Sequence, residues 1–178
     1  MRKTSFALLC CLFSTLTLIA QESTPAPSVG KTGFFAELGG PGILFSANID
    51  HRFGRSHLGF GGRAGLGFVS GYFDDYDPNN SNGSPKSIVS IPVQLNYVFG
   101  KESSVHTFEV GVGATMLGRS VAILDFPYDE PTQFYGTASF MYRRQPKNGG
   151  FSWRGGFTPL IARGYIQPFA GFSVGYNF

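Results

Sequence analysis

The chain has 178 residues, the length of a single domain, and its 14 basic and 11 acidic residues give a net charge of +3. Charged residues make up only 14% of the chain, aromatic residues make up 16%, and 25 residues are glycine, which excludes a disordered chain, a coiled coil and a nucleic-acid-binding tail. No apolar stretch of about 20 residues follows the N-terminal segment, so a helical membrane protein is excluded as well.

The N-terminal segment, residues 1–20, has the pattern of a secretory signal peptide. Two basic residues precede an apolar run that is short for a bilayer span, and a polar stretch follows. We expect cleavage after Ala20, with a short membrane anchor as the alternative. Both cysteines lie in this segment, so no disulfide, thiolate metal site or cysteine nucleophile is expected in the mature chain. Residues 21–31 are rich in Pro, Ser and Gly and predict a flexible lead-in.

From residue 32 onward, apolar residues alternate with small or polar ones, which is the two-residue period of β-strands. The period predicts eight strands, near 32–40, 43–53, 58–72, 87–99, 105–120, 133–144, 150–161 and 166–178. Short turns alternate with longer loops at 73–86 and 123–132, as an antiparallel up-and-down topology requires. Strands of about 11 residues are long enough to cross a bilayer at a tilt.

The polar face of these strands carries Gly, Ser, Thr and Asn with single charges. A soluble sandwich or barrel would place many Lys and Glu residues there, whereas small residues suit the narrow interior of a small barrel. Aromatic residues near the strand ends of the apolar face are typical of the girdles of membrane barrels. We therefore predict an all-β protein whose residues 32–178 form an eight-stranded antiparallel up-and-down transmembrane β-barrel. A secreted soluble β-barrel or sandwich is the alternative.

The last strand ends on alternating apolar residues that share one face, namely Phe172, Val174, Tyr176 and Phe178. This ending resembles the C-terminal assembly signal of bacterial outer-membrane barrels, which implies recognition by the barrel-assembly machinery. Segments 36–53, 91–101 and 145–161 resemble a family of small outer-membrane β-barrel proteins of Bacteroidetes-type bacteria. More distantly, the size and topology are similar to those of OmpX- and OmpA-type barrels. The resemblance implies an outer membrane location among its lipids, and it brings no catalytic motif and no cofactor.

Four charged residues in the middle of the strands fall on the inward face, and they are Glu37, Arg63, Glu109 and Arg154. Asp50, Arg52 and Arg143 also face inward, nearer the strand ends. An unpaired charge in a narrow lumen is costly, whereas a paired charge is tolerated, and neighbouring glycines leave room for long side chains. We expect a salt-bridge network that acts as a static polar plug. A gate or a proton path is the alternative.

The two long loops carry most of the acidic residues of the predicted outer face, which are Asp74, Asp75, Asp77, Asp125, Asp129 and Glu130. These carboxylates fit a divalent cation or an extracellular surface partner, and a solvated loop is the alternative. The three histidines, His51, His57 and His106, have no predicted nucleophile and acid within reach, so they are expected to be turn or interfacial residues. No catalytic, metal or cofactor site is predicted.

The sequence thus predicts an outer-membrane barrel with a structural or surface-interaction role, a plugged polar lumen and no catalysis. The alternative is a narrow pore or small-solute transporter of the outer membrane. Nucleic acid is not an expected partner.

Overall fold

The structure, a computed structural model, describes residues 30–71, 86–121 and 132–178. The predicted signal peptide, most of the predicted lead-in and the six acidic loop residues lie outside the described residues. Within those ranges, no helix is long and apolar enough to cross a membrane.

The described residues form ten β-strands and one short 3-10 turn, Gly40–Gly42, between the first two strands. The strands are β1 Thr32–Gly39, β2 Phe45–Arg52, β3 Gly59–Gly71, β4 Lys86–Gly100, β5 His106–Val121, β6 Thr132–Arg144, β7 Gly150–Phe157, β8 Leu160–Ala162, β9 Tyr165–Gln167 and β10 Ala170–Asn177.

The sheet consists of antiparallel pairs, and it closes on itself because the first strand pairs with the last. Strand β1 pairs with both β2 and β10, from Gly33 opposite Asn177 to Gly39 opposite Gly171 in the second case. Strand β6 pairs with β5 on one side and with β7 and β8 on the other. The predicted fold, an eight-stranded antiparallel up-and-down β-barrel, is confirmed.

The seventh and eighth walls of the barrel are each interrupted, whereas the sequence predicted continuous strands over 150–161 and 166–178. Strands β7 and β8 form the seventh wall, and β9 and β10 form the eighth. The interruptions contain Pro159 and Pro168, which have no N–H group to donate to a strand ladder. The Thr158 amide donates to the Phe169 carbonyl at 2.8 Å, which joins the two walls across the gap.

Side chains alternate between the two faces of each strand, as the two-residue period predicts. On β4, Val93 and Leu95 are 54% and 61% exposed, whereas Gln94 between them is 2% exposed. On β5, Val112 is exposed and Glu109 is fully buried. The barrel is therefore apolar outside and polar inside, the reverse of a soluble protein.

The interior has an apolar cluster at the end of the barrel where β3 and β5 end and β4 and β6 begin, here named the long-loop end. Its buried members are Ile43, Val69, Ile88, Leu117, Tyr135, Leu160 and Ala162, and Phe169 packs against them. The sequence prediction treated the inward face as polar along its whole length, which is wrong at this end. Apolar side chains fill the lumen at that level together with the buried Gly40–Gly42 turn.

The Gly40–Gly42 turn folds into the barrel and is buried. The Thr115 hydroxyl donates to the Pro41 carbonyl at 2.5 Å, and the Ser90 hydroxyl donates to the Gly42 carbonyl at 3.0 Å. These bonds satisfy backbone acceptors that would otherwise be buried without partners. The turn thereby adds backbone to the filling of the lumen.

Candidate functional site in the barrel lumen

The four charged residues predicted in the middle of the lumen come from four alternate walls of the barrel. Glu37 lies on β1, Arg63 on β3, Glu109 on β5 and Arg154 on β7. Each is at most 3% exposed. They point inward because side chains alternate along a strand, and each of the four is an even number of positions from the small and polar residues of its strand. Their sequence neighbours face out.

The structure brings these four side chains together. Arg63 Nη1 donates to Glu37 Oε1 at 2.9 Å, and Arg154 Nη1 lies 3.2 Å from both carboxylate oxygens of Glu109. Longer ion pairs of 3.9 Å join Arg63 to Glu109 and Arg154 to Glu37. Each arginine therefore lies near both glutamates, and the charges neutralise one another within the lumen.

The network extends toward the end of the barrel where the short turns lie, which is here named the short-turn end. Arg143 Nη1 donates to Glu109 Oε2 and to Asp50 Oδ2, both at 2.7 Å. Asp50 also accepts a hydrogen bond from Arg52. Asp50, Arg52 and Arg143, which the sequence placed near strand ends, are thus full members. We name the seven charged residues together the polar layer.

Neutral polar side chains form hydrogen bonds with the charged residues of the polar layer. Gln94 accepts from Arg63, and Ser173 accepts from Arg154 Nε at 2.9 Å. Asn96 accepts from Arg52 and lies 3.3 Å from Asp50 Oδ1 through its amide nitrogen. Sequence reasoning put several of these residues on the inward face without assigning them to the network. Their parity with the charged residues is the signal that identifies them.

Phe35 is an aromatic member of the lumen that the sequence reasoning missed. It is 7% exposed, and the guanidinium carbons of Arg154 and Arg63 lie 3.7 Å and 5.6 Å from its ring centroid. A guanidinium group over an aromatic face is attracted by the ring quadrupole. Phe35 precedes Glu37 by two residues on the same strand. Residues two positions apart share a face, so the alternation predicts that Phe35 lies inside.

Glycines make room for the long side chains, as the sequence predicted. A Cβ atom on Gly61 would collide with the guanidinium group of Arg52, and one on Gly111 would lie 2.9 Å from Gln94 Cδ. Contacts this short require a neighbouring side chain to move. Small residues on the inward face are therefore the counterpart of the large charged ones.

The free space beside Phe35 in the polar layer is small. A cavity of about 10 Å³ lies beside Phe35, Arg154 and Asn177, which is room for about one water molecule. Some buried polar atoms, including Glu37 Oε2 and Arg154 Nη2, have no hydrogen-bond partner within the described ranges. Buried polar groups usually have a partner, so we expect single waters rather than a continuous aqueous path.

The histidines lie apart from this network. His51 bonds to the Thr32 hydroxyl at 2.8 Å, and His106 bonds to the Tyr142 hydroxyl; both histidines are exposed. His57 lies in the turn between β2 and β3 but is only 3% exposed. Among the residues that the structure describes, no group of three or more His, Cys, Asp or Glu residues is placed to hold a metal ion.

The burial of His57 predicts a pH effect on stability. Burial lowers its pKa below the ordinary value of 6.5, Lys147 and Arg143 lower it further, and Glu102 opposes them. The folded state therefore favours the neutral imidazole. The contribution of neutral His57 to folding stability is complete above pH 6.5 and is lost as the pH falls below it. The urea midpoint of His57→Gln should fall less than that of the wild type between pH 6.5 and about pH 5. If the urea midpoints of the two proteins depend on pH to the same extent, His57 is not the source of the pH effect.

The fold is similar to that of the N-terminal β-barrel domain of OprF from Pseudomonas aeruginosa. The crystal structure of that domain aligns with a TM-score of 0.55 at 12% sequence identity, over 83% of this chain and 96% of that domain. No family model matches the sequence, and no curated protein matches it. At this identity the likeness concerns the fold alone, and it agrees with the expected similarity to OmpA-type eight-stranded barrels. Membership in the Bacteroidetes-type family stays a prediction.

Proposed function

We propose that the chain is an integral outer-membrane β-barrel with a structural or surface-interaction role, a closed lumen and no catalytic activity. The observation that carries the proposal is the distribution of side chains, with an apolar surface around a charged and filled interior. A closed barrel leaves no unpaired strand edge, which is the condition for crossing a bilayer with strands.

Aromatic side chains on the outer surface support the membrane setting. Ring contacts run around the short-turn end from strand to strand, with centroid distances of 6.0 Å for Phe99 and Phe108, 5.8 Å for Phe108 and Tyr142, and 5.3 Å for Tyr142 and Trp153. Belts of aromatic residues near the strand ends of a membrane barrel are typical of the interface between lipid headgroups and acyl chains.

The filling of the lumen supports a closed barrel over a pore. The polar layer fills the lumen from the short-turn end to the middle of the barrel. The apolar cluster and the buried Gly40–Gly42 turn fill it at the long-loop end. An ion that crossed would have to break charge-assisted hydrogen bonds and then enter an apolar constriction, and both steps are costly.

The second candidate function is a narrow pore or small-solute transporter. The buried polar atoms without a protein partner in the described ranges favour it, because they require water in the polar layer. Single waters at separate positions would satisfy such atoms without forming a conducting path, so we prefer the closed barrel.

Cell fractionation tests the membrane assignment. The mature protein should sediment with the outer membrane after export and should migrate differently on a gel before and after heating, because the folded barrel resists detergent. Recovery as a soluble periplasmic or secreted protein would overturn the proposal. The signal peptide and the surface contacts of the six acidic loop residues are proposals about residues outside the described ranges.

The exposed end of the last strand predicts an assembly phenotype. Phe178 is 59% exposed, and its backbone exchanges hydrogen bonds of 2.8 and 3.2 Å with Thr32. We propose that the barrel-assembly machinery recognises the outward side chains of β10 and the chain end, which are Phe172, Val174, Tyr176 and Phe178. Phe178→Ala keeps the backbone bonds, so it should lower the yield of folded barrel in cells with little change in the stability of the refolded protein.

Phe151→Ala is the matched control, because Phe151 is 56% exposed on the adjacent strand at the same end of the barrel. Its yield should stay near that of the wild type. Equal losses of yield for the two variants would mean that lipid contact, not recognition of the chain end, sets the assembly yield.

A further inference from the structure

A cleft lies at the short-turn end of the barrel, apart from the polar layer. It has a volume of about 340 Å³ and is lined by Arg55, Ser56, His57, Glu102, Lys147 and Asn148. Ligand sites in proteins have volumes of roughly 300–1,000 Å³, so the cleft has room for a small molecule.

Three separate turns form the cleft. Its residues come from the connections between β2 and β3, β4 and β5, and β6 and β7, which lie at different positions around the barrel. The cleft therefore spans the mouth of the barrel rather than facing the lipid. A free solute reaches this position more readily than the headgroup of a bilayer lipid does.

The charges of the cleft are separated rather than paired. Arg55, Glu102 and Lys147 are exposed, and none of them forms a salt bridge with another side chain in the described part of the chain. His57 beside them is 3% exposed, and its Nε2 has no hydrogen-bond partner there. The cleft thus presents two cations, one carboxylate and a buried imidazole around one space.

From this arrangement we propose that the cleft binds a small zwitterionic ligand of the amino-acid or short-peptide class. The ligand carboxylate lies between Arg55 and Lys147, and the ligand ammonium group faces Glu102. Ser56 and Asn148 supply neutral hydrogen-bonding groups to the rest of the molecule. A ligand with both charges satisfies all three charged side chains, whereas an anion alone leaves Glu102 without a counter-ion.

Binding of three related dipeptides to the full mature chain in detergent micelles tests the proposal. Alanyl-alanine carries both charges, N-acetyl-alanyl-alanine lacks the ammonium group, and alanyl-alaninamide lacks the carboxylate. In calorimetric or NMR titration, alanyl-alanine should bind, and each capped form should bind about fivefold more weakly, the effect of one exposed ion pair of about 1 kcal/mol. Equal binding of all three dipeptides, or no binding of alanyl-alanine, would overturn the proposal.

Two variants assign the ligand charges to the side chains. In Glu102→Gln, acetylation of the ligand should no longer weaken binding, and in Lys147→Gln, amidation should have a smaller effect than in the wild type. Lys101→Gln is the control, because Lys101 is an exposed cation beside Glu102 that does not line the cleft. If Lys101→Gln behaves like Lys147→Gln, the ligand responds to the overall charge of the short-turn end rather than to the cleft, and the proposal fails. It fails as well if glycerophosphoethanolamine binds and alanyl-alanine does not, because the cleft then binds a lipid headgroup.

Discussion

Replacing Glu109 with glutamine should lower the free energy of unfolding of the barrel by about 3–5 kcal/mol, the cost of removing one member of a buried ion pair. Glu109 is fully buried, accepts a hydrogen bond from Arg143 at 2.7 Å and lies 3.2 Å from Arg154. Glutamine keeps the size of the side chain but removes its charge, so two buried guanidinium groups lose a shared counter-ion. Denaturant unfolding of the refolded protein in lipid or detergent measures the change.

Glu102→Gln is the control for this experiment, because Glu102 is exposed and substitutions at exposed positions change stability by about 0.5 kcal/mol or less. The combination of Glu109→Gln with Arg154→Gln should cost less than the sum of the single variants, since the two side chains interact directly. Strict additivity would show that these charges do not meet and that each is solvated separately, which would favour a wet lumen.

An arginine on the outer surface halfway along β4 should be strongly destabilising in a bilayer. Val93 is 54% exposed at the centre of that strand, and Val93→Arg should cost about 2–4 kcal/mol because it places a charge at the middle of the acyl chains. In a water-soluble barrel the same exposed substitution would change stability by about 0.5 kcal/mol or less. Unfolding of the protein reconstituted in lipid vesicles distinguishes the two.

Ser87→Arg provides the matched comparison. Ser87 lies on the same strand and the same exposed face, one residue after the strand begins. A charge there is close to the headgroups, so its cost should be near zero. Equal effects at the two positions would mean that no depth-dependent lipid environment surrounds the strand.

The strands and their faces could be predicted from the sequence because the two-residue period is a local property of the backbone. The fourth strand, for example, was predicted at 87–99 and extends over Lys86–Gly100. The interruptions at Pro159 and Pro168 were readable in principle, since a proline removes one donor from the ladder. The inward fold of the Gly40–Gly42 turn was not, because it depends on hydroxyl donors from Ser90 and Thr115, far along the chain.

The candidate site was predicted only as a set of inward residues. Strand parity places Glu109 and Arg143 inside but does not say which groups meet, because that depends on the register and tilt of the closed barrel. Arg143 reaches Asp50, 93 positions earlier in the chain, only once the sheet has closed. The apolar cluster was missed because apolar residues were assigned to the outward face. Leu117 and Tyr135 are apolar but alternate in step with the inward polar residues of their strands.

Conductance of the refolded protein in planar lipid bilayers tests the closed lumen most directly. We expect a membrane that stays electrically silent after insertion, because the polar layer and the apolar cluster fill the barrel at successive levels. Steady and reproducible channels of one size would contradict it and would make the chain a narrow pore.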